Sequence, residues 1–325
     1  MLRLNSEITI GNLKFTFVTN CEINSSWESL TDTAVISLPN NIRSRNIQIK
    51  DIIKVNDPVI IKLGYYPNLV TRFTGYVSKL IPDSPLKVMC EDEAFKLKQQ
   101  FLESYAKKRV SLKTLIEDNY KGVINVADAD LGGFSISKGS TMMQVLQELL
   151  STYKLNSWFR DGVLNTGLPY DGNGVTKSFK FQKNIIDGSD LAIIDEAELK
   201  NIAYGVSQRS DGTKIELYTF YENGKIKTSE TNPSGNLNTM SIPGLTKEKL
   251  TTLLERWLPN LYYTGYKGSF TTFGEPVVNH GDFAQIEDLK FPEKNGKYLI
   301  KSVNVSFGLN GYRQNIELDS KVNEN

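Results

Sequence analysis

Residues 298–318 read YLIKSVNVSFGLNGYRQNIEL, and this stretch carries the clearest structural signal in the chain. Apolar and polar positions alternate on both sides of the link Gly308-Leu309-Asn310-Gly311. A period of two with β-branched and aromatic residues is typical of half-buried strands, and glycine with asparagine is typical of a turn. The stretch therefore predicts two neighbouring strands. One face is expected to hold Leu299, Lys301, Val303, Val305 and Phe307 before the turn, and Tyr312, Gln314, Ile316 and Leu318 after it.

The N-terminal part of the chain repeats this alternation. Every second position from Val59 to Tyr65 is apolar or aromatic, and the same holds from Leu86 to Cys90. Turn-forming pairs of Asn, Asp, Pro and Ser separate such stretches roughly every ten residues. Short strands with frequent turns predict a β-sandwich or a β-barrel.

The middle of the chain changes to a helical period. Ser111 is predicted to cap one helix, and Thr141 with Gln144 has the spacing of a capping box for a second. The second helix has an apolar stripe made of Met142, Leu146, Leu149, Leu150 and Tyr153. We interpret the adjacent Met142 and Met143 as core-filling residues.

Strand-like sequence resumes at residues 157–159, turns at Asp161-Gly162 and continues to residues 168–170, before a loop at 172–174. From Asn201 onwards the strand pattern dominates again. Hairpin turns are predicted at Asp211-Gly212 and Asn223-Gly224.

One helix interrupts this last region. Thr246 is predicted to cap it and Pro259 to stop it. Its apolar stripe is Leu250, Leu253, Leu254 and Trp257. The organisation is therefore β, then an α-containing insert, then β.

Composition excludes several classes of function. The 325 residues carry a formal net charge of +1, so the chain is not a globally basic nucleic-acid coat. Mean hydropathy is −0.32, and no apolar run approaches the roughly 20 residues of a membrane span. The first residues have no apolar signal region, and Cys21 and Cys90 cannot build a disulfide framework, so we expect synthesis in a reducing cytoplasm. A single histidine, His280, makes a His-rich metal centre impossible and a His-based triad improbable.

Several patterns could carry chemistry, and each has a simpler structural interpretation. His280, in Asn279-His280-Gly281-Asp282, is expected in a turn between strands. Carboxylates cluster at Glu91-Asp92-Glu93, at Asp128 and Asp130, and at Asp187, Asp190, Asp195 and Glu196. A glycosidase needs two carboxylates facing each other across a cleft, and the sequence pairs none of them that way.

Two loop-like segments resemble ligand motifs weakly. Residues 128–132, Asp-Ala-Asp-Leu-Gly, match only the start of a calcium loop, so we expect a polar loop. Residues 172–178, Gly-Asn-Gly-Val-Thr-Lys-Ser, lack the glycine before the lysine of a phosphate loop, and no helical stripe follows. We expect a flexible loop there. The sequence thus predicts no catalytic, metal-binding or cofactor-binding residue.

A basic stretch with interleaved aromatic residues runs through the start of the insert. Its cations are Lys96, Lys98, Lys107, Lys108 and Arg109. Glu91, Asp92, Glu93 and Glu103 nearly balance these charges, so we interpret the stretch as a solvated face, with nucleic-acid binding as the alternative.

Taken together, the sequence resembles the baseplate hub proteins of contractile phage tails, the late control or gene D family, whose related module begins the type VI secretion spike. Several short stretches carry this resemblance through their order and spacing. They are residues 59–65 (VIIKLGY) with 72–77 (RFTGYV), residues 90–98 (CEDEAFKLK), residues 274–286 (GEPVVNHGDFAQI), and residues 298–318 with Gly311-Tyr312-Arg313.

The resemblance implies a mainly β protein with an α+β insert, in which two tube-forming β-barrel-like domains are joined by a smaller α/β region. We expect the first barrel-like domain at residues 1–97, the connecting region at 98–197, and the second barrel-like domain at 198–325 with one helix near 247–257. Only Ser320–Asn325 follow Asp319, so a fused spike or lysozyme domain is not expected and the spike would be a separate chain.

The function that the resemblance implies is structural and involves no enzymatic reaction or cofactor. Three copies would form a pseudo-sixfold ring between the tail tube and the central spike, in a virion tail baseplate or injection machine assembled in the bacterial cytoplasm. Partners would be two further copies of the chain, a tail tube or distal tail protein, the spike and other baseplate components, with tape measure protein or DNA in the lumen.

Two alternatives from other classes remain. One is a tail-associated cell-wall or polysaccharide hydrolase that uses a carboxylate pair. The other is a carbohydrate-binding β module with an aromatic groove. For the second, the candidate aromatic residues are Tyr262, Tyr263 and Tyr266, which we expect instead to pack within a strand or at an interface.

Overall fold

The computed structural model describes residues 3–42, 47–127, 129–153, 155–167, 174–195, 199–208 and 213–322. Within these ranges the protein is mainly β with an α+β insert, as the sequence predicted. No helix in the described ranges has the length and apolar character needed to cross a bilayer. The predicted turn Asp211-Gly212 and the strand residues 168–170 lie outside the described residues.

The N-terminal region is almost entirely β. Its strands are β1 (Leu4–Ile10), β2 (Leu13–Phe15), β3 (Asn20–Ser26), β4 (Thr33–Leu38), β5 (Asn41–Ile42), β6 (Ile47–Gln48), β7 (Pro58–Tyr65), β8 (Val70–Ile81) and β9 (Leu86–Glu91), and its short helices are α1 (Ile49–Ile52) and α2 (Ala94–Leu97). The predicted alternation is confirmed in β7, where Val59, Ile61 and Leu63 are buried and Ile60 is exposed.

The insert mixes helices with short strands. It contains β10 (Tyr105–Ser111), α3 (Leu112–Asn119), β11 (Val123–Val126), β12 (Asp130–Ile136), α4 (Met142–Tyr153), β13 (Asn156–Arg160) and β14 (Val163–Gly167). The predicted caps are present. Ser111 Oγ accepts from Thr114 N at 3.1 Å, and Thr141 and Gln144 exchange both hydrogen bonds of a capping box. Met142 and Met143 are buried in a core of the insert, as expected.

The C-terminal region begins with strands that the periodicity had not identified. It contains β15 (Thr176–Lys180), β16 (Ile185–Asp187), β17 (Leu191–Ile194), β18 (Asn201–Gln208), β19 (Lys214–Glu222), β20 (Lys225–Ser229), β21 (Asn236–Ser241), α5 (Lys247–Trp257), β22 (Gly265–Phe273), β23 (Phe283–Glu287), β24 (Gly296–Gly308) and β25 (Gly311–Val322), with 3-10 turns at Leu258–Leu261 and Pro292–Lys294. Thr246 caps α5, and Pro259 lies in the 3-10 turn that ends it, as predicted. Asn223 and Gly224 take positive φ in the β19–β20 hairpin, as a two-residue turn requires.

One sheet of 14 strands organises the molecule. Its order is β16-β22-β25-β24-β3-β4-β9-β8-β7-β1-β2, with β17 also on β22 and with β23 and β15 branching from β24. We call β1–β4 with β7–β9 the first half, and β15–β17 with β22–β25 the second half. A single hydrophobic core runs through both halves.

Smaller sheets carry the remaining elements. The insert contains a two-stranded sheet, β10-β12, and a three-stranded sheet, β11-β14-β13. A four-stranded sheet, β20-β19-β18-β21, is covered by α5. Gly205 faces α5, where an added Cβ would lie 2.7 Å from a methyl carbon of Leu254. The absence of a side chain at this position therefore lets the helix approach the small sheet closely.

Candidate assembly seam and exposed surfaces

The two halves are joined by direct strand pairing. β3 and β24 are antiparallel over seven residue pairs, from Ser26 opposite Ser302 to Asn20 opposite Gly308. Ile23 and Val305 pair in the middle of this ladder, and both are buried. The halves can separate only by breaking this ladder and exposing the shared core, so they form one mechanical unit.

A half-buried cation crosses the same seam. Arg72, on β8, donates to Gln314 Oε1 at 3.2 and 3.3 Å, to the Tyr312 hydroxyl at 3.3 Å and to the Val278 carbonyl at 3.5 Å. Gln314 is fully buried and donates to the Pro276 carbonyl at 2.6 Å. Burial lowers the pKa of the Arg72 guanidinium, and all these acceptors are neutral. The arginine therefore fixes two chain segments through hydrogen bonds rather than through an ion pair.

Aromatic residues close the seam at one end. The Tyr65 hydroxyl donates to the Tyr312 carbonyl at 3.2 Å, and the two rings lie 5.6 Å apart. Phe307 meets the same Tyr312 ring edge-on at 5.6 Å. Gly274 lies against this ring, where an added Cβ would come within 2.1 Å of a ring carbon. Replacement of this glycine by any other residue would displace the aromatic contact.

A second polar cluster attaches the insert to the second half. Arg160, at the end of β13, donates to the His280 carbonyl, and its Nη1 lies 4.0 Å from Asp282 Oδ1. The His280 ring is buried edge-on between Trp27 at 6.4 Å and Trp158 at 6.1 Å. Burial and the nearby Arg160 lower the pKa of His280 to about 3. His280 occupies a turn, as predicted, and stays neutral near pH 7.

Two acidic side chains lie near this cluster, the buried Asp92 and the half-buried Asp32. Asp32 N donates to Asp92 Oδ2 at 3.2 Å, while Asp92 N donates to the Asp32 carbonyl at 3.0 Å. Ser25 Oγ donates to Asp32 Oδ2 at 2.6 Å, and Ala94 N donates to Asp92 Oδ1 at 3.0 Å. Burial, followed by the proximity of Asp32, raises the pKa of Asp92 to about 8. Burial also raises the pKa of Asp32 to about 6.

The other predicted carboxylate clusters make local hydrogen bonds and ion pairs. Glu91 pairs with Lys98, Asp130 with Arg109, and Asp187 accepts from Ser189 N at 2.9 Å. Asp128 and Glu196 lie outside the described residues. In the described part of the chain, no group of three His, Cys, Asp or Glu side chains could hold a metal ion.

The expected flexible loop at 172–178 requires correction. Gly172 and Asn173 lie outside the described residues, but Thr176–Ser178 belong to β15, which pairs in parallel with β23. Val175 N donates to Asp282 Oδ1 at 3.1 Å and its carbonyl accepts from Phe283 N at 2.9 Å, so these contacts fix the segment before the strand begins.

The remaining candidate surfaces are occupied by neighbouring side chains. Lys107 pairs with Asp118 at 2.7 Å, which agrees with a solvated, charge-balanced face. Tyr263 and Tyr266 are buried, and Tyr262 donates to the Asn201 carbonyl at 2.6 Å. Tyr266 lies within strand β22, as expected, while Tyr263 is buried just before this strand and Tyr262 is partly buried, so the three do not form an exposed aromatic groove.

Three large apolar side chains are exposed at one end of the main sheet. They are Phe17 (67% exposed), Tyr66 (66%) and Leu309 (85%), and we call them the end rim. The hydrogen bond from the Tyr65 hydroxyl to the Tyr312 carbonyl brings the end of β7, just before Tyr66, close to the β24–β25 turn that carries Leu309. The link between β2 and β3, which contains Phe17, runs between these two places. Clustered exposed apolar residues are typical of protein–protein contact sites.

Among the described residues, no further strand pairs with the two ends of the main sheet. Its order ends at β2 in the first half, and at β16 and β17 in the second half. Ile186 on β16 is 45% exposed and Ile193 on β17 is 58% exposed. Exposed apolar side chains on edge strands favour pairing with another chain.

Comparison with known proteins identifies solved structures that share this fold. No protein-family model and no curated protein sequence matches the chain. It is similar in structure to a tail protein from Neisseria meningitidis (TM-score 0.60, 14% identity, 98% of this chain and 97% of that one) and to a 43 kDa tail protein of prophage MuSo2 from Shewanella oneidensis (TM-score 0.59, 12% identity, 97% of each chain).

A third similar structure is a component of the E. coli type VI secretion system (TM-score 0.55, 11% identity, 97% of this chain and 77% of that one). The chain therefore has the fold of phage tail proteins and of this secretion component, over nearly its whole length.

Sequence reasoning did not identify Arg72, Gln314 or Arg160 as seam residues. The sequence pattern predicts only that Arg72 and Gln314 lie in strands, because alternation does not show which partner a strand pairs with. An isolated polar residue within an apolar strand face, such as Gln314 between Tyr312 and Ile316, is the available signal.

Proposed function

We propose that the chain is the structural hub of a phage tail baseplate or a related contractile injection machine. Three copies form a pseudo-sixfold ring that adapts a tail tube to a central spike. Residues 1–97 and 198–325 supply two barrel-like units per chain, and β15–β17 extend the second. The role is structural and uses no catalytic residue or cofactor.

One observation carries this proposal most strongly, namely that one continuous sheet ties both halves into one unit while leaving edges at both ends. Contact between the second-half edge of one copy and the first-half edge of the next is heterologous. Such a contact must either close into a ring or continue as a filament. The near-neutral net charge of +1 keeps repulsion between copies small.

The partners follow from the two faces of such a ring. The tail tube or a distal tail protein binds one face, the spike and other baseplate components bind the other, and tape measure protein or DNA passes through the lumen. The place of action is the tail of the assembled particle. Similarity to tail proteins and to a type VI secretion component supports these assignments.

Lysine substitutions on the second-half edge test the ring contact. Ile186→Lys with Ile193→Lys places two charges on β16 and β17, which blocks edge pairing without loss of a buried side chain. Tail particles made with this variant should lack the hub or fail to assemble. Ile226→Lys, on the exposed β20 of the small sheet, is the matched control and should assemble normally. Normal assembly of the double variant would remove this edge from the ring contact.

A further inference from the structure

A groove with a volume of about 980 Å³ separates the small sheet from the second half of the main sheet. One wall is formed by Leu253 and Trp257 of α5. The opposite wall is formed by Leu299 of β24 and Leu318 of β25. The groove therefore has one apolar wall from helix α5 and another from the main sheet.

The free edge of strand β21 lies along this groove. β21 occupies the end of its sheet and pairs only with β18, in parallel. Asn236 N donates to the Lys200 carbonyl at 2.8 Å, and Ile242 N donates to the Val206 carbonyl at 3.0 Å. In a parallel ladder alternate residues direct their backbone groups to opposite sides.

It follows that the N–H and C=O groups of Leu237 and Thr239 point away from β18. Leu237 is 46% exposed and lines the groove. In the described part of the chain no strand pairs with this edge. These backbone groups are available to an added strand.

The groove is bordered by more cations than carboxylates. Arg256 on α5 and Lys267 on β22 are both exposed, and neither makes an ion pair with a described residue. Lys301 is shared between Glu28 at 3.1 Å and Glu317 at 3.3 Å. The free charges on opposite walls are therefore positive.

Two further groups modify this charge. Lys321 Nζ donates to the Thr264 carbonyl at 3.0 Å at the end of the groove, and burial lowers the pKa of this ammonium group. Asp319 accepts from Ser320 Oγ at 3.1 Å, and burial raises its carboxyl pKa while the charges of Lys301 and Lys267 oppose this shift. The four cations that line the groove outnumber its two carboxylates, so the groove favours an acidic occupant.

We propose that this groove binds an extended acidic segment of a partner protein, which adds as a strand to the free edge of β21. Its alternate apolar side chains pack against Leu253 and Trp257. Its carboxylates face Arg256 and Lys267. Backbone hydrogen bonds to Leu237 would supply affinity, and the charges would supply selectivity. This interaction is independent of the number of copies in the ring.

Short synthetic peptides of alternating valine and glutamate test the proposal on the full chain. Binding of a labelled peptide is measured by fluorescence anisotropy, and hydrogen exchange reports protection of the Leu237 and Thr239 amides. A peptide of the same pattern with lysine in place of glutamate is the probe control. We expect the acidic peptide to bind at least about tenfold more tightly and to slow exchange at both amides.

Charge reversal in the protein tests the cations directly. Arg256→Glu with Lys267→Glu should weaken acidic-peptide binding by about tenfold or more. Lys50→Glu with Lys54→Glu, two exposed lysines in and just after α1, is the matched control and should leave binding unchanged. Equal binding of the acidic and basic peptides, or an unchanged affinity in the groove variant, would overturn the proposal.

The strand edge is tested separately. Thr239→Pro removes an outward N–H that β18 does not use, so the small sheet should persist while peptide binding falls. Thr239→Ala is the control that keeps the N–H. Binding that appears only in a chain ended at Val322 would assign the groove to residues 323–325 of the chain itself and would also overturn the proposal.

Discussion

Arg72 and Gln314 are 242 residues apart in the sequence, yet the Arg72 guanidinium donates two hydrogen bonds, of 3.2 and 3.3 Å, to the Gln314 side-chain oxygen. The contact lies between the two halves. It makes the position of each half dependent on the other. The proposed hub role requires this rigidity, because a hub transmits load from tube to spike.

Replacement of Arg72 should therefore destabilise the whole molecule. Arg72→Ala leaves the buried Gln314 oxygen without its donor, and we expect a loss of about 2–4 kcal/mol in the free energy of unfolding. Urea denaturation measures it. Arg109→Ala, whose side chain is 75% exposed, is the matched control and should cost less than about 0.5 kcal/mol.

A double variant separates the hydrogen bonds from the packing. Arg72→Met with Gln314→Leu removes donor and acceptor together, so it should be more stable than Arg72→Ala. Equal losses of unfolding free energy in Arg72→Ala and Arg109→Ala would contradict a stabilising role for Arg72.

The capping box of α4 gives a local prediction. Thr141→Ala removes the acceptor of the Gln144 N–H and should cost about 1 kcal/mol in unfolding free energy. Ser151→Ala, at an exposed position in the last turn of the same helix, should change it by less than about 0.5 kcal/mol. Thermal denaturation of both variants distinguishes the cap from a general effect of hydroxyl removal.

The buried carboxyl of Asp92 predicts a fall in stability at alkaline pH. Its pKa is raised to about 8, so the folded state retains a proton that the unfolded state has already released above about pH 4. Stability should decrease as pH rises from about 4 to about 8. Between pH 6.5 and 8.5 the unfolded state also loses the His280 proton and begins to lose the thiol protons of Cys21 and Cys90, whose pKa values the fold shifts. The contribution of Asp92 is therefore the difference in slope between the original protein and Asp92→Asn.

Asp92→Asn should make the plot of unfolding free energy against pH less steep in that window. Any loss of stability from its altered hydrogen bonds is the same at every pH, and such an offset does not change the slope. Asp190→Asn, at an exposed site, should keep the slope of the original protein. Urea midpoints measured from pH 6.5 to 8.5 give the slopes. A profile of Asp92→Asn as steep as that of the original protein would exclude a protonated Asp92 in the folded state.

Substitutions in the end rim allow an effect on assembly to be measured separately from an effect on folding stability. Leu309→Ser alters a side chain that is 85% exposed, so unfolding free energy should change by less than about 0.5 kcal/mol. Incorporation of the variant into tail particles should nevertheless fall, because an apolar contact is lost. Val123→Ser, at a 66% exposed site in the insert, should incorporate normally. Normal incorporation of Leu309→Ser would remove Leu309 from the docking surface.

Local features of the fold could be predicted from the sequence because they depend on neighbouring residues. The β24–β25 hairpin and the caps at Ser111, Thr141 and Thr246 are examples. Face assignment was less complete. β24 has register shifts between Tyr298 and Ser302, so both alternating sets are buried there.

The long-range features could not be predicted from periodicity. The pairing of β3 with β24 depends on which edges meet in the folded chain, and a period of two carries no information about the partner. β15 was missed because Thr176–Lys180 alternates weakly and becomes a strand through pairing with β23. The candidate assembly surfaces depend on these pairings, so their residues emerged only in the structure.

Cryo-electron microscopy of the assembled tail particle, with the hub density resolved, tests the central proposal most directly. The proposal predicts three copies of this chain around an axial channel, with each second-half edge of β16 and β17 against the first half of the next copy. Two, four or five copies, or a hub density without an axial channel, would contradict it.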